Sequence, residues 1–357
     1  MTSFSIDPDI RRACSLPGEA YTSPAWFERI RDRVLARTWH LVGDAEDLAN
    51  AGDVRPCTLL DRCLDEPVVL TRDTTGLHAL ANVCTHRGNL VVTEPGQLQG
   101  GQGARQGLRC RYHGRRFALD GRFLSMPEFD GVEGFPSAAD DLARVPLGRL
   151  ERFLFTAVNP AMPFDDLVAP LRARLPAAAL GPTTFAPERS RDYELAANWM
   201  LYVDNYSEGF HIPFVHAGLA SVVDYGSYET ELHPWGTLQV GRAKPGEDAF
   251  EGGVAAYYAF LFPATMLNFY PWGISVNAVR PLAVDRTRIS FLTYVRDPSR
   301  LAVGAGADLH AVEMEDEAIV EAVQRGVRSR RYRSGRYSPT RETGVHHFHR
   351  MLATLAG

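Results

Sequence analysis

The sequence predicts an α+β fold, in which a small antiparallel β domain is attached to a larger domain whose sheet is flanked by helices. Three patterns predict it: an amphipathic helix near the start, short strand-like runs from about residue 41 to 160, and longer ones from about residue 228 to 295 that precede another amphipathic helix. The 357 residues suffice for about two domains. We expect an N-terminal helical part of the larger domain at 1–40, the β domain at 41–160 and the rest of the larger domain at 161–357.

The first helix is predicted in SPAWFERIRDRVLARTW. Ser23 suits the N-cap, and Pro24 suits the first helical position. The apolar stripe of this helix consists of Phe27, Ile30, Val34 and Leu35. The runs that follow, such as EPVVLTR and LHALAN, are separated by Gly, Pro and Asp at intervals of roughly ten residues, which is typical of short antiparallel strands. The last helix is predicted over DEAIVEAVQRGVRS, beginning near Asp316.

The composition is that of an ordinary globular protein, with a formal net charge of -5 at pH 7. This charge gives no reason to expect nucleic acid or a membrane surface as a partner, so small molecules or proteins are expected. The first residues, MTSFSIDPDIRRACSL, lack the apolar segment of a secretory signal. The odd count of 5 cysteines argues against a disulfide framework. We therefore expect a cytoplasmic protein in which some cysteines are metal ligands.

Two short motifs of the predicted β domain each pair a thiol with an imidazole. NVCTHRG contains Cys84 and His86, and LRCRYHG contains Cys110 and His113. Such ligands bind either tetrahedral zinc or an iron-sulfur cluster. A zinc finger groups its cysteines together and its histidines together, whereas here each loop supplies one of each. This spacing favours a Rieske [2Fe-2S] site, in which two cysteines hold one iron and two histidines hold the other.

A second group of candidate ligands lies in DNYSEGFHIPFVH. A helix from residue 198 to 210 would place three side chains on one face: Asp204, Glu208 and His211. Pro213 would then break this helix and let His216 return toward His211. Two imidazoles and one carboxylate in a facial arrangement are the ligand set of non-haem Fe(II) oxygenases. The best candidate for the carboxylate is Asp316, and the alternatives are Glu313 and Glu315.

With these motifs, the chain resembles the α subunits of Rieske non-haem iron oxygenases, the aromatic-ring-hydroxylating oxygenase family, over nearly all of its length. The resemblance rests on CTHRGN, CRYHG, NW followed by DNYSEGFHIPFVH, and EDEAIVEAVQRGVRS. It implies a Rieske β domain inserted in a larger helix-grip (START-like) catalytic domain with an antiparallel sheet and helices. It also implies a homotrimer in which the cluster of one subunit lies close to the iron of its neighbour. Members usually have Pro after the second Cys and Trp after His-Gly, whereas this chain has CRYHGRRF, with Arg111, Arg115 and Arg116.

The resemblance also implies roles for single residues. Glu208, three residues before the first histidine ligand, would bridge a Rieske histidine and an iron-ligating histidine across the subunit boundary. Asp204 and Asn205 would orient the ligands. Electrons would pass from a separate flavin and iron-sulfur reductase or a ferredoxin, fed by NAD(P)H, through His113 and Glu208 of adjoining subunits to the mononuclear iron, where O2 is the cosubstrate.

The substrate prediction depends on Glu208. Many ring-hydroxylating members carry Asp at this position, whereas Glu is typical of enzymes similar to the choline, carnitine and glycine-betaine monooxygenases. The segment GRYSPTRETGVHHFH also resembles that group. We expect a terminal oxygenase that N-demethylates or hydroxylates a quaternary or methylated amine. The alternatives are ring hydroxylation of an aromatic compound and a Rieske electron-transfer protein without oxygenase activity. Aromatic residues that could enclose a quaternary ammonium are Tyr202, Tyr206, Phe210, Tyr257, Phe260, Phe269, Tyr270 and Trp272.

Overall fold

In the computed structural model, which describes residues 5–98 and 107–357, the chain divides into two units. One unit is Ala36–Pro160, and the other combines Met1–Leu35 with Ala161–Gly357. The first consists mainly of strands, and the second combines a large sheet with helices. The α+β prediction, with a β domain inserted in the chain of a larger domain, is confirmed. No helix of the described residues has the length and apolar character needed to cross a membrane.

The described residues of the smaller unit form three antiparallel sheets, with strand orders β1-β10-β9, β4-β3-β2-β5 and β6-β7-β8. The strands are β1 His40–Asp44, β2 Asp53–Leu59, β3 Glu66–Arg72, β4 Leu77–Ala81, β5 Gly96–Gln97, β6 Leu108–Arg109, β7 Arg116–Phe117, β8 Phe123–Ser125, β9 Leu147–Leu150 and β10 Phe153–Thr156. Val69, Leu80 and Phe117 form part of one core of this unit, and the thiols of Cys84 and Cys110 belong to the same cluster. The two cysteine loops are therefore anchored in apolar surroundings.

In the larger unit, the part of the chain that the structure describes forms one antiparallel sheet in the order β11-β18-β17-β16-β15-β14-β13, with β12 also paired to β18. Its strands are β11 Thr184–Phe185, β12 Arg191–Leu195, β13 Glu229–His233, β14 Gly236–Arg242, β15 Val254–Leu261, β16 Thr265–Tyr270, β17 Gly273–Ala283 and β18 Arg286–Val295. Strand β15, VAAYYAFL, is a continuous apolar run, and β15 and β16 are both buried along their whole length. Such runs are expected where both faces of a sheet are covered. One covering element is the C-terminal helix, whose Phe348 ring packs 5.6 Å from the ring of Phe260.

The helices of the larger unit are α1 Gly18–Thr22, α2 Pro24–Arg33, α3 Phe164–Arg174, α4 Ala177–Leu180, α5 Trp199–Tyr206, α6 Ile212–Val215, α7 Ala217–Val222, α8 Leu309–Val327 and α9 Thr343–Ala356. Helix α2 begins at Pro24 as predicted, although the Ser23 side chain makes no capping hydrogen bond there.

Three helix predictions were wrong. Helix α5 ends at Tyr206, so the turn at Ser207 precedes Glu208 and the predicted helical face does not extend to His211. Helix α8 begins at Leu309 with Asp308 as its N-cap, so Asp316 lies in its second turn and not at its start. This helix is also followed by another one, α9.

Candidate functional site

The two cysteine loops of the smaller unit have the same backbone turn. The Cys84 carbonyl accepts a hydrogen bond from the Gly88 N–H at 2.9 Å, and the Cys110 carbonyl accepts one from the Gly114 N–H at 3.0 Å. Both glycines have positive φ, +71° and +78°, which favours a residue without a Cβ. The glycines that follow CTHR and CRYH are therefore required by the turns that present the candidate ligands.

The four candidate cluster ligands are arranged in two layers. Cys84 and Cys110 are 3% and 2% exposed, whereas His86 and His113 lie nearer the surface. The two imidazole rings make a T-shaped contact with centroids 4.8 Å apart. The Asn89 amide donates to the Cys110 sulfur at 3.5 Å, a contact that favours a thiolate. Two sheltered sulfurs and two outer imidazoles fit a [2Fe-2S] cluster of the Rieske type.

Arg115 stands where family members usually carry Trp, and it is buried, with 2% exposure. Its guanidinium donates to the Asp140 carboxylate at 2.5 Å. The same group lies over the Phe123 and Phe135 rings, 5.0 and 5.4 Å from their centroids. Arg115 therefore belongs to the interior of the smaller unit, whereas Arg111 is exposed.

In the larger unit, a short turn after α5 positions the first of two neighbouring histidines. The Glu208 carboxylate accepts hydrogen bonds from the backbone N–H groups of Phe210 and His211 and thereby holds this turn. Pro213 lies in the first turn of α6, so it begins a helix and does not break one as predicted. His216 then lies at the junction between α6 and α7, where the chain changes direction.

The predicted iron ligands His211, His216 and Asp316 come together, with one ligand atom of each within 4.8 Å of the others. The Nε2 atoms of His216 and His211 lie 3.0 and 3.6 Å from Asp316 Oδ1. Their Nδ1 atoms face other carboxylates, that of Glu315 at 2.7 Å and that of Glu208 at 2.6 Å. A neutral imidazole that donates from Nδ1 leaves the Nε2 lone pair free for a metal.

The charges around this cluster suit a bound cation. Burial alone lowers the pKa of His216, but the Asp316 and Glu315 carboxylates outweigh it, so the pKa is raised above its ordinary value. The Asn205 amide donates to Asp316 Oδ1 at 2.6 Å and orients that carboxylate, in agreement with its expected place beside the ligands. Two imidazoles and one carboxylate, with room left around them, fit non-haem Fe(II).

The predicted alternatives for the carboxylate have different surroundings. Glu315 lies on the outer side of His216, and Glu313 points to Tyr202 one turn before Asp316. Among residues 5–98 and 107–357, only Asp316 joins the two histidines in a group with metal-ligand spacing.

Asp204 was predicted to orient the ligands, but it is not a member of this group, and its hydrogen bonds are made to other residues. Its carboxylate accepts hydrogen bonds from the Tyr21 hydroxyl at 2.7 Å and the His349 imidazole at 2.8 Å. The hydroxyl of Tyr337 lies 2.6 Å from the other nitrogen of His349. Because α5 ends at Tyr206, Asp204 and His211 are not on one continuous helix. These contacts tie α5 to α1 and α9.

A cavity of about 90 Å³ adjoins the three candidate ligands. Six aromatic residues line it: Tyr202, Tyr206, Tyr228, Tyr258, Tyr270 and Phe291. Three of these were predicted from sequence, and Tyr228, Tyr258 and Phe291 were missed. Of the other predicted aromatic residues, Phe210 is 40% exposed. Tyr257 pairs in register with Phe269 on the face of the sheet opposite to Tyr258. Phe260 packs on Phe348, and Trp272 lines a separate cavity.

One sequence signal could have located the cavity face. The apolar strands β14, β16 and β17 each carry one buried amide, Gln239, Asn268 and Asn277, and all three line the cavity. Tyr258 lies directly opposite both Gln239 and Asn268 in the sheet register. Because side chains alternate between the two faces along a strand, these amides indicate which alternate residues of each strand face the cavity.

Comparison with known proteins gives two family matches. The Rieske [2Fe-2S] domain matches residues 38–136, and the catalytic domain of the ring-hydroxylating α subunit matches residues 182–357. These matches agree with the cysteine and histidine loops in the smaller unit and with the histidine and carboxylate group in the larger unit.

Two relatives cover almost the whole chain. The carnitine monooxygenase oxygenase subunit of Escherichia coli strain K12 is 32% identical over 381 residues, covering 99% of this chain and 96% of that protein. The chloroplastic choline monooxygenase of Arabidopsis thaliana is 30% identical over 373 residues, covering 99% of this chain and 85% of that protein.

Solved structures show the same fold. The quaternary ammonium Rieske monooxygenase CntA with bound L-carnitine has a TM-score of 0.78 and 25% identity, with 98% of this chain and 97% of that chain covered. Naphthalene 1,2-dioxygenase from Rhodococcus sp. has a TM-score of 0.72 at 16% identity, with 96% and 94% covered. The chain therefore belongs to the family of Rieske non-haem iron oxygenase α subunits, and it is an oxidoreductase of the oxygenase class.

Proposed function

We propose that this oxygenase hydroxylates a C–H bond of a quaternary or methylated amine. The preferred position is a C–H bond of an N-methyl group. The observation that carries the proposal is the tyrosine-lined cavity beside His211, His216 and Asp316. The relatives named for choline and carnitine support the same substrate class.

The proposed cofactor sites use the residues expected from sequence. Cys84, His86, Cys110 and His113 would hold a Rieske cluster, which supplies single electrons. His211, His216 and Asp316 would hold Fe(II), which supplies the place where O2 is reduced. The protein's own part is to keep both imidazoles in the Nδ1–H form, through Glu208 and Glu315, and to orient Asp316 through Asn205.

The cavity suits a ligand that carries a positive charge. Tyrosine faces attract an ammonium group at about 0.5–2 kcal/mol for each well-placed ring. Tyr206, Tyr228, Tyr258 and Tyr270 gather around one part of the cavity, and Tyr258 stacks on Tyr228 with centroids 6.4 Å apart. Such walls exclude water and hold an N-methyl group beside the candidate iron ligands.

The reaction balances with an external reductant. One oxygen atom of O2 enters the methyl C–H bond as a hydroxyl group, and the other leaves as water with two protons and two electrons. A carbinolamine formed in this way releases formaldehyde and the demethylated amine. The electrons require a partner, and we propose a flavin and iron-sulfur reductase or a ferredoxin that draws on NAD(P)H. We also propose that the chain works as a homotrimer.

A substrate panel with a surrogate reductase tests this function. Oxygen uptake, formaldehyde and the remaining amine are measured with choline, carnitine, glycine betaine and a set of arenes, with Asp316→Ala as the inactive control. We expect uptake with at least one methylated amine and an equal amount of aldehyde product. Uptake with an arene, together with no product from any methylated amine, would contradict the amine assignment. No uptake with any compound, in protein that contains both metals, would favour an electron-transfer protein.

A further inference from the structure

A buried acid in the cavity wall has no part in the ligand group described above. Glu313, on α8, is 2% exposed and borders the cavity one turn before Asp316. Its Oε2 atom accepts a hydrogen bond from the Tyr202 hydroxyl at 2.9 Å. Its Oε1 atom is buried and has no hydrogen-bond partner within the described part of the chain. One carboxyl oxygen is therefore available to a ligand.

A relay of side chains along the cavity wall points at this acid. The Tyr206 hydroxyl donates to Asn268 at 2.7 Å, Asn268 donates to Asn277 at 3.0 Å, and Asn277 donates to the Tyr202 hydroxyl at 3.0 Å. Tyr202 in turn donates to Glu313. Each donor points to the next member of the relay, and the last of them, the Tyr202 hydroxyl, contacts the Glu313 carboxyl group, so the relay as a whole is oriented toward Glu313.

Folding alone does not explain an acid at this position. A glutamine has the same shape and could accept the Tyr202 hydrogen bond at a lower cost of burial, because an ionised carboxylate loses far more hydration. The cost is visible in the pKa of Glu313, which burial and then the Asp316 charge raise well above its ordinary value. No Lys or Arg is among the described residues that line the cavity, so the protein itself supplies no permanent cation there.

We propose that Glu313 is the counter-charge for the ammonium group of the substrate and determines the preference for a cation. This proposal rests on the proposed function, because it assumes that the ligand of this cavity is a methylated amine. The tyrosine rings provide surfaces that any cation or apolar group could contact. A bound ammonium group lowers the pKa of Glu313 and favours its ionised form, and the resulting attraction separates a quaternary ammonium from a neutral molecule of the same shape.

The test compares a charged ligand with its neutral counterpart. Choline and 3,3-dimethyl-1-butanol differ at one atom, since a carbon replaces the quaternary nitrogen. Binding of each to the metal-loaded protein is measured by calorimetry for the wild type and for Glu313→Gln. We expect the variant to bind choline at least about tenfold more weakly, which corresponds to about 1.4 kcal/mol, and to bind the neutral alcohol within about threefold of the wild type.

Two further variants distinguish the effect of the Glu313 charge from an effect on the protein structure. Glu317→Gln makes the same change one turn along α8, at a residue that does not line the cavity, and should leave both affinities unchanged. Glu313→Asp keeps the charge and should restore most of the preference for choline. Iron content and thermal unfolding of each variant are recorded alongside, since a merely structural role would change these and weaken both ligands equally.

The outcomes are distinguishable. Equal affinities of the wild type and Glu313→Gln for choline, or an equal loss for both ligands, would overturn the role of Glu313 and leave the proposed function intact. If the wild type binds neither choline, carnitine nor tetramethylammonium, the amine assignment itself fails, and this proposal fails with it.

Discussion

His211 and His216 are each held at Nδ1 by a glutamate, but the two glutamates come from different parts of the chain. Glu208 belongs to the turn that carries His211, whereas Glu315 lies 99 residues beyond His216 on α8. The first contact forms within one short segment. The second forms only when α8 packs near the segment that carries His216, so it depends on the tertiary structure.

Removal of the second contact should weaken iron binding. In Glu315→Ala, the imidazole of His216 loses the acceptor that fixes its orientation, and loss of such a contact typically lowers metal affinity about 10–100-fold. Competition with a chelator measures this change. Glu315→Gln, which keeps an acceptor oxygen, should lose less, and an unchanged affinity in the Ala variant would contradict the orienting role of Glu315.

At the scale of elements, β15 separates two adjacent tyrosines. Tyr258 borders the cavity, whereas the Tyr257 ring lies on the opposite face, where it packs 5.6 Å from the Phe250 ring. Both side chains are buried. They differ in the face of the sheet that they occupy, so they form a natural pair for comparison.

Replacement of each tyrosine with leucine should separate substrate binding from stability. Tyr258→Leu removes one ring from the cavity and should raise KM for the preferred amine about 2–30-fold, as expected for an interaction of 0.5–2 kcal/mol. Tyr257→Leu should lower the thermal unfolding temperature with little change in KM. Steady-state kinetics and calorimetry of both variants check this, and equal changes in KM would contradict the assigned faces.

The sequence predicted the ligand sets better than the elements that carry them. Cys84 with His86, and His211 with His216, lie a few residues apart, so their chemistry is visible in short motifs. The face that Tyr258 occupies was not visible within β15 itself, because VAAYYAFL is apolar throughout and shows no alternation of polar and apolar residues. The start of α8 was also missed, although the Asp308 cap marks the boundary.

At the scale of the whole molecule, the chain places two kinds of metal ligand in two separate units. The cluster loops belong to Ala36–Pro160, and the candidate iron ligands belong to Ala161–Gly357. The resemblance implies that the working pair of sites is formed by neighbouring subunits. This arrangement is part of the proposed function and can be tested with mixed assemblies.

Two inactive chains should restore activity when they are co-expressed. A Cys84→Ser chain lacks an intact cluster, and an Asp316→Ala chain lacks an iron ligand, so each alone should be inactive. In a mixed oligomer, the cluster of the second chain would serve the iron of the first. Oxygen uptake by assemblies purified through two different tags measures the recovery. No recovery in mixed oligomers whose Cys84→Ser chains hold iron and whose Asp316→Ala chains hold the cluster would contradict transfer between subunits.

The same mixed assembly can show which of the two chains needs Glu208. Glu208→Gln on the Cys84→Ser chain, which carries the working iron site, should abolish the recovered activity while both metals stay bound. The same substitution on the Asp316→Ala chain should have little effect. Equal effects on the two chains would contradict a bridge from the iron-bearing subunit.

The surroundings of Arg115 have a consequence for how such proteins are recognised. Its planar guanidinium lies among the rings of Phe117, Phe123 and Phe135 and is neutralised by Asp140, so it fills an interior position that suits a flat side chain. A sequence pattern that requires Trp after His-Gly would miss this chain, although its two cysteine loops share the same backbone turn with each other. A pattern that requires Gly88 and Gly114, with any large planar residue after the second, describes the structural need more faithfully.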